Sequence, residues 1–251
     1  TATTESTPLP WTILVERIDI SNTGIAFRMA GDTMMVSTEI RNAYLSNGNI
    51  DLASAVYTIG SVGIDIDTLH LCMMDTAGIN TRIPLSTASL GVDNLRMDSA
   101  SVALQQFRIS TACTDGEKKS LINGNLQLDF NAFTPMSGGS LSTNISASLA
   151  HSDIMGIAQD FIPQDLKRAY PALPLNVHIA VNGNIDSISV DTMHLSMPTA
   201  IDVLAKGYVA DAMAEGGMRS HLQWDASAMN LNFVRRYMGL SGVNIPRMNL
   251  S

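Results

Sequence analysis

The side chains best able to do chemistry in this 251-residue chain are five histidines, two cysteines and 23 carboxylates. Four of the histidines, His70, His178, His194 and His221, fall in strand-like segments. Each stands between residues of the apolar parity, which assigns it to the polar, water-facing side of a strand rather than to a metal site. His151 has no partner pattern. Asp65 and Asp67 put two carboxylates on one face of a strand, but acid–base catalysis also needs a cleft and a substrate-binding surround, and a solvated strand end accounts for the pair. Cys72 and Cys113 sit at the edges of apolar runs as small buried residues and could form at most one bridge; the spacing leaves that disulfide open. Gly138 and Gly139 precede a strand rather than open a helix, so they form a turn and no phosphate-cradling loop. The chain has no Gly-x-Ser-x-Gly, no P-loop and no zinc spacing. The expectation is a protein that is not an enzyme, with no catalytic residue, no metal ligand and no cofactor.

What must position any site is set by composition and periodicity. Hydrophobic residues make up 45% of the chain and charged residues only 15%, against about 25% in ordinary soluble proteins, with a net charge of −8 and 15 methionines. Scattered basic residues on an acidic chain argue against a nucleic-acid partner. No apolar run approaches the roughly 20 residues that cross a bilayer as a helix. The opening residues 1–10 read as a polar linker and the last few as a strand beginning, so the chain is expected to be a piece of a longer protein whose targeting signals lie outside it.

Strict alternation dominates, the mark of half-buried strands. Leu126, Leu128 and Phe130 alternate with polar residues, as do Leu141, Thr143, Ile145, Ala147 and Leu149, and Leu175, Val177, Ile179 and Val181. Asn-Gly-Asn recurs at 47–49, 123–125 and 182–184, where it reads as a tight turn between antiparallel strands. A second element recurs at 67–73 and 191–197, with a weaker copy at 93–97. The spacing is irregular, which excludes a fixed-period solenoid. Two stretches look helical. Ser152 would cap a helix with Ile154, Ile157, Ala158, Phe161 and Ile162 on one stripe, broken at Pro163 and followed by a turn through Leu166, Ala169 and Tyr170. Leu231, Val234, Tyr237 and Met238 form the other, stopped at Gly239.

The fold class is therefore all-β: a long twisted antiparallel sheet with one or two short helices. The apolar parity collects Leu126, Leu128, Phe130, Leu141, Ile145, Leu149, Leu175, Val177, Ile179, Val181, Met193, Leu195, Met197, Leu222 and Trp224. Periodicity alone fits both a closed sandwich, in which a second sheet covers this face, and a sheet curled into a trough that holds lipid.

Several features resemble the AsmA-like superfamily: long alternating strands punctuated by Asn-Gly-Asn, the Pro84–Ser86 and Pro135–Ser140 steps before Ser-rich strands, and a short helix followed by 171–175 and a returning strand. The opening Leu9–Asn22, with Ile25–Met29 behind it, is similar to TamB-type members of Bacteroidetes-like bacteria. The resemblance implies a β-groove segment over 11–150, a short helical segment over 151–170 and a groove continuing over 171–251 and beyond. It further implies a periplasmic, envelope-spanning protein anchored in the inner membrane by a helix outside this chain. Its hydrophobic groove would carry phospholipid acyl chains toward the outer membrane, and a BamA-like outer-membrane barrel would be met through regions outside this chain. The competing expectation is a β-rich adhesin or carbohydrate-binding domain with a closed core.

Overall fold

The computed structural model describes residues 10–29, 34–74, 80–113, 118–157, 164–211, 217–229 and 248–250. The strands are β1 (Thr12–Arg28), β2 (Met34–Asp51), β3 (Val56–Met74), β4 (Asn80–Leu85), β5 (Thr87–Met97), β6 (Ser101–Ala112), β7 (Ser120–Asp129), β8 (Leu141–Leu149), β9 (Leu175–Asn184), β10 (Ser187–Met197), β11 (Ile201–Ala210), β12 (Arg219–Ala228) and β13 (Met248–Leu250). Two short helices, α1 (His151–Ile157) and α2 (Gln164–Ala169), and a 3₁₀ turn at Phe130–Phe133 complete it.

All thirteen strands form one sheet, every pairing is antiparallel, and apart from the β3–β5 pair neighbours in space are neighbours in sequence. β4 and β5 lie end to end along β3, interrupted at Ser86, whose backbone N–H and hydroxyl both donate to the Ala112 carbonyl at 2.8 and 2.9 Å. β8 pairs directly with β9 across the helical excursion, so one sheet runs through both expected groove segments. The sheet is not closed.

The register aligns the apolar parity of every strand. Ile20, Ala43, Ile64, Leu90, Ile109, Ile122, Ala147, Val177, Leu195, Val203 and Ala226 stand in one file across eleven strands. A parallel file runs through Ile18, Leu45, Val62, Val92, Phe107, Gly124, Ile145, Ile179, Met193, Ala205 and Trp224. Directly opposed apolar pairs stabilise a sheet by about 0.2–1 kcal/mol each, so an unbroken file locks register from one edge to the other.

Between the second file and the next, several strands step by three residues instead of two: Val15 to Ile18, Leu45 to Gly48, Ile59 to Val62, Val92 to Leu95 and Leu104 to Phe107. The steps align into a crease. Asn47 and Asn94 occupy it with φ of 53° and 52°, the left-handed region that Asn tolerates best among residues with a side chain. Gly60 faces Asn47, where a Cβ would come within 2.8 Å of the Asn47 Cβ. Irregular steps of this kind bend a strand and raise its twist, which curls the sheet.

Two expectations need correction. Asn47 to Asn49 and Asn123 to Asn125 lie inside β2 and β7 and are not turns; only Asn182 to Asn184 leads into one. Gly124 is required by packing, since a Cβ there would fall on the Asn144 carbonyl and 3.1 Å from both the Ile145 Cα and the Phe107 ring. The hairpin turns are closed by side-chain acceptors instead. Asp51 accepts from the Ala53 and Ser54 N–H groups, Asp98 from those of Ala100 and Ser101, and Asn184 from those of Asp186 and Ser187. These bonds hold the Asp51 carboxyl, through the Ser54 hydroxyl first, and the Asp98 carboxyl, through the Ala100 N–H first, below the ordinary carboxylate range.

The helix expectation is corrected at its start. α1 begins at His151, with the Ile154 N–H bonded to the Ala150 carbonyl, so Ser152 lies inside the first turn and is no cap. Ala158, Phe161, Ile162 and Pro163, and the second expected helix at Leu231, Val234, Tyr237, Met238 and Gly239, lie outside the described residues.

Candidate functional site

The largest apolar feature is the face built by the aligned files. Among the described residues no large side chain is fully buried, and the buried apolar set consists of Leu85, Met197 and five alanines. All the strands belong to the one sheet, so no second sheet lies over this face among the described residues. In mid-sheet its side chains partly shield one another, whereas Ile18, Ile20, Leu222 and Trp224 toward the two edges are exposed. Along β7, Ile122, Leu126 and Leu128 are half-buried while Leu121, Asn123, Asn125 and Gln127 on the opposite side are exposed; β8 repeats this with Leu141, Ile145 and Leu149 against Ser142, Asn144 and Ser148.

Most residues expected to line the face are brought together by the register. Leu128 opposes Leu141, Ile145 opposes Ile179, Leu149 opposes Leu175, and Val177 opposes Leu195. Leu126 and Val181 join through Thr143, Leu222 lies opposite Gly207, and Trp224 opposite Ala205. Met193 opposes Ile179, and Met197, the most buried of the set, closes the end of β10 against Ile201. Phe130 is the exception. β7 ends at Asp129, and Phe130 opens the 3₁₀ turn with its N–H bonded to the Ala100 carbonyl, so strand alternation does not aim it.

Residues that sequence reasoning missed extend the face to β1–β6: Ile18, Ile20, Leu45, Val62, Ile64, Leu90, Val92, Leu104, Phe107 and Ile109. The three-residue steps obscured them, because each one resets a period-2 reading. The signal was a pair of polar residues between apolar ones, as at Gln105 and Gln106. The recurring Asp elements mark the same irregularity, since Asp67, Asp93 and Asp191 all lie at or beside register steps.

That placement also corrects the carboxylate pair. The step at Asp67 breaks the alternation that would align it with Asp65; Asp65 opposes Asn42 and Ser89, whereas Asp67 is ion-paired to Arg41. The histidines form no common cluster. His178 stands between Ser146, bonded at 2.9 Å, and His194, which is 3.1 Å from Asp202, while His70 opposes Ser37 and His221 opposes Tyr208. Among the described residues no group of three or more His, Cys, Asp or Glu could hold a metal.

The opposite, polar face carries a trough of about 760 Å³ over the crease, lined by Gly60, Asp93, Asn94, Gln105, Gln106, Asn123, Gly124, Asn125, Asn144 and Ser146. Arg108 donates to Asp93 at 2.7 Å, and Asn94 donates to Gln105 at 2.5 Å.

At one end of the sheet α1 docks on β6 and β7 through a single buried carboxylate. Asp153, 2% exposed, accepts from the Thr111 hydroxyl at 2.7 Å, the Cys113 N–H at 2.7 Å and the Ser120 N–H at 3.4 Å. Gly156 sits over Cys113, whose Sγ would lie 2.6 Å from a Cβ there. Both cysteines are free and half-buried, which closes the disulfide question. Burial, and then the Asp153 charge, push the Cys113 thiol up to about 11. In a Cys72→Ser protein, Cys113 should alkylate with iodoacetamide about 100-fold more slowly at pH 8 than an unperturbed thiol, the rate still rising beyond pH 10. A rate that levels off below pH 9 would contradict that environment.

No helix among the described residues is long and apolar enough to cross a membrane. Comparison with family models, with curated proteins and with solved structures found no match for this chain, so its fold and face stand on the geometry alone.

Proposed function

We propose that this chain is a segment of an envelope protein whose apolar sheet face carries phospholipid acyl chains between the inner and outer membranes, supports outer-membrane protein assembly, or does both. The same reading includes the kinship with the AsmA-like, TamB-type family, a periplasmic location, an inner-membrane anchor outside this chain and contact with a BamA-like barrel through other regions. No catalytic step, metal or cofactor is part of it.

The supporting observation is the pair of unbroken apolar files that crosses eleven strands with no second sheet over them among the described residues. Acyl chains make no directional bonds, so what they need is continuous apolar surface rather than a specificity pocket. An apolar patch of this extent on a single layer marks a surface that is covered in use. The exposed Met193 side chain adds flexible, polarizable lining that adapts to disordered chains. The outer Ser, Thr and Asn residues keep such a sheet hydrated with few charges.

Native mass spectrometry of the purified chain tests this. Phospholipid or detergent adducts that survive gentle ionisation, and that exchange with lipid vesicles, are the expected result. A ligand-free protein that acquires no lipid from vesicles overturns it.

A further inference from the structure

The trough on the polar face has a chemistry of its own, independent of lipid. We infer that it binds a neutral oligosaccharide. Its volume of about 760 Å³ falls within the roughly 300–1,000 Å³ of small-ligand sites, yet its lining is amide and hydroxyl where such sites are mostly apolar. An apolar ligand has nothing to bind there.

Charge excludes ions as well. Asp93 is the one ionisable lining residue, and the Arg108 guanidinium offsets it at 2.7 Å. Outside the step at Gln105 and Gln106, the backbone of β6, β7 and β8 is engaged in ladder pairing, so an added peptide strand finds no continuous free edge in mid-sheet. What remains available is carboxamide, part of it already engaged: Asn94 donates to Gln105, Gln106 accepts from Arg108, and Asn125 accepts from the Asn144 backbone N–H. Each carboxamide carries two donors and an acceptor, and vicinal hydroxyls offer the complementary pattern. The side chains of Asn123 and Asn144 make no hydrogen bond to the described residues and flank the trough on neighbouring strands. Gly60, held free of a side chain by its contact with Asn47, leaves the other wall open. With no aromatic ring in the lining, binding is expected in the millimolar range.

The test is a titration of the isotope-labelled protein, followed through Asn and Gln side-chain NH₂ signals, with a tetramer of β-1,4-linked N-acetylglucosamine, with maltotetraose, with sodium sulfate and with a Gly-Ser tetrapeptide. Saturable shifts of the trough amides by either sugar support the inference. Asn123→Ala combined with Asn144→Ala should then weaken binding about tenfold or more, while Gln127→Ala, on the same face outside the trough, should not. The inference is overturned by no shift at about 20 mM sugar, by equal shifts with sulfate or the peptide, or by sugar binding that ignores the double substitution.

Discussion

Replacing Val177 with arginine is expected to leave the protein folded and to abolish its crosslinking to phospholipid. Val177 stands mid-file between Ala147 and Leu195 and is half-buried, with no second sheet above it among the described residues. An arginine there can lay its methylene stem along the neighbouring side chains and hold the guanidinium in water. The structural cost is then limited to lost apolar contact, about 1 kcal/mol, seen as a fall of a few degrees in melting temperature. For acyl chains the effect is far larger, because a hydrated cation interrupts the apolar file that crosses β9 at this position. Ile145→Arg, opposite Gly124 and Ile179 in the adjacent file, should behave the same way. In a covered core the same charge would be buried without a partner, at a cost of several kcal/mol and close to the whole stability of an ordinary domain. Circular dichroism melting and an aryl-azide phospholipid crosslink together decide the matter. Insoluble or unfolded protein at both positions would mean that the face is covered and that the open groove is wrong.

Asp153→Ala should produce the largest loss of stability available from a single polar side chain among the described residues. The carboxylate is the common acceptor for β6 through Thr111, for the segment after it through Cys113, and for β7 through Ser120. Alanine leaves three donors without their acceptor, the Ser120 N–H buried and those of Thr111 and Cys113 part-buried, and an unsatisfied buried group costs about 1–3 kcal/mol, so a loss of about 2–4 kcal/mol is expected. Asp153→Asn keeps an acceptor oxygen and should lose about half as much. The thiol gives an independent readout. Burial, the larger cause, keeps the Cys113 thiol raised, but without the Asp153 charge it falls below about 11, and its alkylation at pH 8 speeds up in both variants. An Asp153→Ala protein with an unchanged melting point and unchanged thiol reactivity would contradict the latch.

Much of this was legible in the chain. Alternation along Leu141–Leu149 and Leu175–Asn184 identifies strands, because a period of two places every second side chain on one face whatever lies next to it. The apolar set on β7 to β12 follows from the same rule, with Phe130 lost only because β7 ends one residue earlier. The Asn-Gly-Asn segments misled, since local propensity for positive φ is shared by turns and by irregular strand steps, and only pairing distinguishes them. Asn47, at φ 53° in the middle of an 18-residue strand, is the example.

Short stretches of the chain set its local terms: extended backbone, one apolar face per strand and few charges. Those follow from residues within a few positions of each other. Tertiary structure alone decided that the apolar faces of eleven strands line up into continuous files, that the three-residue steps coincide in one crease with a polar trough behind it, and that no second sheet covers the face among the described residues. It also decided that Asp153 is a buried acceptor for groups 33 to 42 residues away in sequence. The physical reason is the same throughout. Register and burial depend on which strand lies alongside, and that is a property of paired segments that no single segment encodes.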